Sequence, residues 1–245
     1  MIPKKYITGE YAVGTCTLSL TDESRTDDLG KGGARRIAVR LYYPVKRESI
    51  AGAEKARALS ETKAKAVAKS CLARRLPEDV IYPEHYYVPM MDEIFTLILF
   101  NHGFNSYVEA NTFLCCDIAS HGYIIASVGH ANEAIENDYD NGEYDLFDKS
   151  IGKRLYDKNV ISVLIEQSKV KKYKTARGML DAFNKFQDSC CSFFKLRRLT
   201  EWVKDSVYAV NAVKERFSEH IDLSYGIGTG GHSFGGCTAD RKSVV

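Results

Sequence analysis

The sequence predicts an α/β protein, a doubly wound and mostly parallel sheet with helices on both faces. Three observations carry that reading. Two short continuous apolar runs, Phe95–Phe100 and Tyr123–Val128, have the pattern of strands covered on both faces. Between them, Tyr107–His121 sets Ala110, Phe113, Leu114 and Ile118 at helical spacings, and Gly122 is placed to end the helix. Such β-α-β alternation builds a parallel sheet whose sites lie at the carboxyl ends of strands. Near the end of the sequence, Gly230-Gly231-His232-Ser233-Phe234-Gly235-Gly236 carries a G-x-S-x-G pattern directly behind a strand-like run, with small residues that suit a sharp turn.

The remaining elements follow in order. Tyr11–Leu20 alternates in part and Arg36–Tyr43 clearly, with Ile37, Val39 and Leu41 on one face, so both read as antiparallel strands. Thr21–Gly33 reads as their hairpin connection, and Pro44 closes the second strand. Ala51–Arg75 turns to Ala, Lys, Glu and Arg and favours a solvated helix. Glu133–Leu196 opens on an acidic stretch and continues with helices expected over Lys153–Gln167 and Thr175–Gln187. About residues 134–196 are expected to form a cap-like helical excursion from a partial domain over 1–239. Leu199–Phe217 is the clearest helix, with Leu199, Val203, Val207, Val210, Val213 and Phe217 on one stripe. It leads to a strand over Tyr225–Gly230 that ends at the serine.

Composition excludes several classes. In 245 residues, 34 basic side chains nearly balance 32 acidic ones, so no global field argues for nucleic acid or an anionic membrane. Met1–Tyr6 lacks the apolar run of a secretory signal and no later run is long enough to span a bilayer, which leads us to expect a cytoplasmic protein. Oligomeric state is not legible. The seven cysteines include the adjacent pairs Cys115-Cys116 and Cys190-Cys191, which fit neither a disulfide framework nor a zinc set and read as buried free thiols.

Chemistry concentrates on the turn around Ser233. A serine nucleophile of this kind needs two backbone N–H groups to hold an oxyanion, one from the residue after the serine and one from a loop behind an earlier buried strand. Phe234 and Phe104 occupy those positions, and Gly103 and Gly235 border them as residues whose backbone is free to aim the donors. His102 is expected to shape the oxyanion loop and His232 to pack beneath the turn, with Gly231 and Gly235 supporting it.

At these residues the chain resembles the platelet-activating-factor acetylhydrolase and dienelactone-hydrolase-like branch of the α/β-hydrolases. Gly14, Leu18-Ser19-Leu20 and Val39-Arg40-Leu41-Tyr42-Tyr43-Pro44 resemble its opening strands. Phe100-Asn101-His102-Gly103-Phe104 resembles its oxyanion loop, Asp117–Tyr123 the helix end and next strand, and Gly231–Gly236 its nucleophile elbow. The likeness covers most of residues 11–239 but little of about 134–196. It implies cofactor- and metal-independent hydrolysis of a small or phospholipid-like ester with a short acyl chain, through an acyl-enzyme on Ser233. In that family the triad aspartate and histidine follow later strands, whereas only nine residues follow Gly236 here. The resemblance therefore implies a fold missing its C-terminal strands, and a chain inactive alone. Residues 240–245, charged where the family continues with small and apolar residues, are expected to be a non-native tail.

Other readings are weaker. Gly226–Gly231 fits G-x-G-x-x-G, but the ribose-binding acid expected about twenty residues on has no place. His130, ending a buried strand, is the one upstream histidine placed to substitute for the missing base, against the usual chain order of such triads. The acidic stretch Asp138–Gly142 breaks the EF-hand register and reads as a solvated loop. Cys237 reads as a small buried residue of the elbow helix, and the lysines over 169–174 as a surface helix end. The competing function class is a non-catalytic hydrolase-like protein that binds or regulates.

Overall fold

The computed structural model describes residues 7–30, 32–57, 59–70, 81–151, 165, 168–169, 172, 175–190 and 193–240. Two compact units divide the chain, Met1–Phe147 with Trp202–Val245, and Asp148–Glu201. In the first unit, β1 (Ala12–Thr26), β2 (Ala34–Val45), β3 (Lys55–Arg57), β4 (Ile81–Tyr86), β5 (Phe95–Asn101), β6 (Tyr123–His130), β9 (Ile221–Asp222) and β10 (Gly228–Gly231) form one sheet. Its order is β10-β5-β6-β2-β1-β4-β3, with β9 also beside β5.

The sheet has two halves of different character. β10, β9 and β6 all run parallel to β5, in the half that ends at the serine. Across β6-β2-β1 the pairing is antiparallel, and β4 returns parallel to β1. The hairpin of β1 and β2 is longer than the sequence predicts, because alternation fades beyond Leu20 while the ladder continues to Asp22 and resumes, after an irregularity, at Thr26.

Each face carries its own core. On one, Val39, Leu41, Leu97, Leu99, Ile124 and Val128 pack with Ala209, Val210 and Val213. The last three come from a long helix that starts in the second unit; α1 (Glu61–Ser70), α2 (Thr112–Ser120) and α3 (Ala176–Cys190) precede this α4 (Phe193–Arg216). On the opposite face Val13, Tyr42, Phe100 and Ile125 pack with Cys115, Cys116 and Ala119 of α2. Helices on both faces of a mixed sheet make this an α/β protein, as the sequence predicts. A final short helix, α5 (Phe234–Ala239), follows β10, and β7 (Glu136–Asp138) pairs with β8 (Tyr144–Leu146) in a small hairpin.

Several expectations need correction. The segment Ala51–Arg75 is not one solvated helix: Lys55–Arg57 is a strand, and helix spans only Glu61–Ser70. Lys63 is fully buried, with its ammonium 3.0 Å from Glu109 Oε1 and 2.8 Å from Asp138 Oδ2. The acidic stretch is solvated at the tip of its hairpin, Asp140–Gly142, but not at its base. Glu133, Glu136 and Asn137 are buried, and Asp145 accepts bonds from Asn132, Asn137 and Tyr139. The buried face of α4 runs through Trp202, Asp205, Ser206, Ala209, Val210 and Val213, one step round from the predicted apolar stripe, because Asp205 and Ser206 find partners inside. Cys115 and Cys116 are buried, whereas Cys237 is exposed. The helix expected over Lys153–Gln167 and the tail from 241 onward lie almost wholly or wholly outside the described residues, as do Cys71 and Cys191.

Candidate active site

Ser233 stands where β10 turns into α5, with φ 55° and ψ −118°. That conformation costs of order 1–3 kcal/mol for a residue other than glycine, and persists only where surrounding contacts enforce it. The enforcing contacts are steric and specific. Gly231 and Gly235 cross so closely that a Cβ at Gly231 would fall 2.7 Å from the Gly236 nitrogen. A Cβ at Gly235 would fall 2.6 Å from the Asn101 carbonyl carbon, and one at Gly103 would meet His232 Nδ1 at 2.8 Å. Neither Gly103 nor Gly235 has positive φ. Their glycines therefore serve close approach, not the conformational freedom expected from sequence.

The turn is tied to the loop after β5. The His232 N–H donates to the Asn101 carbonyl at 3.0 Å, and the Phe104 and Phe234 rings meet edge to face with centroids 5.8 Å apart. Around them, the Phe104 ring also contacts Phe147 and Trp202, and Trp202 packs against Phe234 at 4.9 Å. The neighbouring amides are engaged: Asn105 N–H donates to Glu133 O, Ser106 N–H to Gly103 O, Gly235 N–H to His232 O and Gly236 N–H to Ser233 O. By contrast, the N–H groups of Phe104 and Phe234 have no acceptor among the described residues. One open donor thus belongs to the loop after β5 and the other to the residue that follows the exposed Ser233, and the His232–Asn101 bond ties the two segments together.

One of the histidines is placed differently from expectation. His232 is exposed and does not lie beneath the turn. His102 is fully buried, its Nδ1 donating to Gly103 O at 2.7 Å. Burial, with the nearby His130, pushes its pKa down to about 3, so it is a neutral ring that shapes the loop. His130 offers no base to Ser233. Its ring is buried between Asp205 Oδ2, 2.9 Å from Nδ1, and Asn101 Oδ1, 3.1 Å from Nε2. No described residue hydrogen-bonds the Ser233 hydroxyl.

Sequence reading missed the cluster behind this loop. Arg35, Asp205, His130, Asn101 and Trp202 come from three strands, β2, β5 and β6, and one helix, α4, and all are buried. A charged residue on the inner side of α4 was the available signal, visible as Asp205-Ser206 interrupting an otherwise apolar face.

The model of the family described as platelet-activating factor acetylhydrolase, isoform II, matches residues 2–244. No curated protein matches. Among solved structures, a ferulic acid esterase from Streptomyces cinnamoneus is similar with TM-score 0.59 and 22% identity, over 95% of this chain and 55% of that one. The chain thus spans about half the length of that esterase, and at this identity the likeness speaks to the fold.

Proposed function

The chain belongs to the platelet-activating factor acetylhydrolase, isoform II, family, and on that premise we propose that it is the Ser233-bearing part of a serine hydrolase for carboxylic esters. The observation that carries the reading is the strained Ser233 in a turn bonded to the loop of Phe104, with the Phe104 and Phe234 N–H groups both without an acceptor among the described residues. Ser233 Oγ attacks the ester carbonyl, the carbonyl oxygen takes the negative charge, and those two donors stabilise it. The alcohol leaves with a proton, and water then releases the acid and regenerates the serine. We read the substrate as a short acyl ester of a phospholipid-like alcohol; the family description, which names an acetylhydrolase of platelet-activating factor, supports this, and the structural neighbour's name agrees in ester chemistry alone.

The reading assigns the general base to none of the six histidines. His85 lies in β4, His121 bonds Thr8, His220 bonds the Met91 carbonyl, His102 and His130 are buried, and His232 is exposed. An unactivated serine is a poor nucleophile, and an oxyanion hole alone supplies only a small part of the rate. The chain by itself is expected to turn over esters very slowly. No metal or cofactor enters the mechanism, and the reading includes no nucleic-acid partner.

A fluorophosphonate probe tests the assignment. The natural gene product should be labelled on Ser233, with labelling lost in Ser233→Ala while the thermal transition is retained. A folded natural protein that takes no label would exclude the esterase reading and leave the non-catalytic alternative.

A further inference from the structure

Behind the oxyanion loop lies a charge cluster that hydrolysis as described does not use. Arg35, at the start of β2, grips Asp205 of α4 with two bonds, Nε to Oδ1 at 3.1 Å and Nη2 to Oδ2 at 2.7 Å. The same guanidinium reaches Glu133 Oε2 and Asp27 Oδ2, both at 3.1 Å, and the Ala131 carbonyl. Arg25, near the end of β1, adds a bond to Asp205 at 2.8 Å and one to Asp22. Into this cluster His130 projects its ring, with Asp205 on one nitrogen and Asn101 on the other.

We propose that His130 is held as an imidazolium between Asp205 and Asn101, and that it is the positioning residue that fixes the oxyanion loop against the nucleophile elbow. The catalytic half of this rests on the Ser233 reading; the protonation half does not. Three observations argue for the charge. Both ring nitrogens face oxygen acceptors, and only the doubly protonated ring donates from both. The cluster the ring enters is rich in acids: the Asp205 carboxylate touches the ring itself, the carboxylates of Asp205, Glu133, Asp27 and Asp22 together meet two guanidinium groups, Arg35 and Arg25, and the neighbouring His102 ring is neutral. Finally, the Trp202 indole stacks on the His130 ring at 3.7 Å with 12° between the planes, a geometry that favours a cation.

The mechanical consequence runs through one residue. Asn101 Oδ1 receives His130 and also the Ser206 hydroxyl at 2.9 Å, while the backbone carbonyl of the same Asn101 receives His232 N–H of the elbow. The Glu133 carbonyl, three residues past His130, holds the far end of the loop at Asn105 N–H. Loop and elbow therefore share anchors, and a charged hydrogen bond resists rotation of the Asn101 side chain more strongly than a neutral one. A reversed Asn101 amide, donating to a neutral His130, is the arrangement the experiment must separate.

Long-range proton–nitrogen NMR on ring-labelled protein separates them. The expected result is one histidine with both ring nitrogens protonated at neutral pH. Its assignment comes from loss of the signal in His130→Gln, or by elimination with Gln at His121, His220 and His232. A His130 ring with one bare nitrogen at neutral pH overturns the protonation half. Asp205→Asn should convert that ring to the neutral form and slow fluorophosphonate labelling of Ser233 in the natural gene product about 10- to 100-fold, at unchanged reagent affinity. Labelling at the parental rate would overturn the positioning half. An unlabelled parent would count against the Ser233 reading alone, with the NMR result standing by itself.

Discussion

At the residue scale, the site depends on atoms that are absent as much as on those present. Gly235 leaves room for the Asn101 carbonyl and Gly103 for His232, so the elbow and the loop approach at backbone distance. Gly235→Ala should cost about 1–3 kcal/mol, because a methyl group there must push two backbones apart. Urea unfolding of the variant checks the cost; a midpoint equal to the parent's would show that the contact is slack. Asp205 is the opposite case, a charge that cannot be removed cheaply. Burial alone would raise its pKa, but Arg35 and the His130 hydrogen bond hold its carboxyl well below the usual range. A depressed carboxyl contributes stability that is present above its unfolded pKa and lost as pH falls below it. Asp205→Ala should therefore destabilise by about 3–5 kcal/mol at neutral pH by leaving Arg35 buried without its main partner. The penalty should shrink as the medium is acidified, and thermal unfolding against pH measures both. This cluster escaped the sequence reading for a physical reason: Arg35 and Asp205 are 170 residues apart, and local pattern reports apolar burial but not which distant charges will meet.

At the element scale, α1 shows how a basic composition misleads. Its lysine-rich sequence suits a solvated helix, yet Lys63 turns inward to Glu109 and Asp138, and the Ser60 hydroxyl caps the helix by accepting from Lys63 N–H. Burial alone would lower the Lys63 pKa; those two carboxylates hold it above its ordinary value. Ser60 also donates toward Glu136 and Asp138, so α1 is latched onto β7 through two neighbouring acids. Burial, then Asp138, pushes the Glu136 carboxyl up from 4.5 to about 7. A raised carboxyl binds its proton more tightly in the folded state, so stability should fall as pH rises from about 4.5 toward about 7. Glu136→Gln should flatten that fall and raise the melting temperature at pH 8 relative to the parent. An unchanged slope would mean the acid pair is solvated and the latch is not there. Elements with strong periodicity or continuous apolarity, β2, β5, β6 and the body of α4, were legible because one covered surface dictates their pattern. β3, β4, β7 and β8 were not, since they are short, polar and recruited by their neighbours.

At the scale of the whole sheet, sequence pattern distinguished the parallel half from the antiparallel lead. Among the described residues β10 pairs with β5 on one side and with nothing on the other. The strand that leads to Ser233 is thus an edge among the described residues, only four residues long and rich in glycine, with Leu223 and Tyr225 exposed just before it. An edge of this kind offers unpaired N–H and C=O groups beside apolar side chains, and nothing in Gly228–Gly231 repels a second strand. The 245-residue chain should therefore associate with itself as concentration rises, seen as earlier elution and growing light scattering. Leu223→Lys with Tyr225→Lys places charge beside the same edge without touching Ser233 or the loop, so it should delay association while leaving the thermal transition near the parent's. A parent that stays monomeric over a wide concentration range would show instead that this edge is covered, and mapping hydrogen exchange at Gly228–Gly231 would then locate the covering segment through the amides it protects.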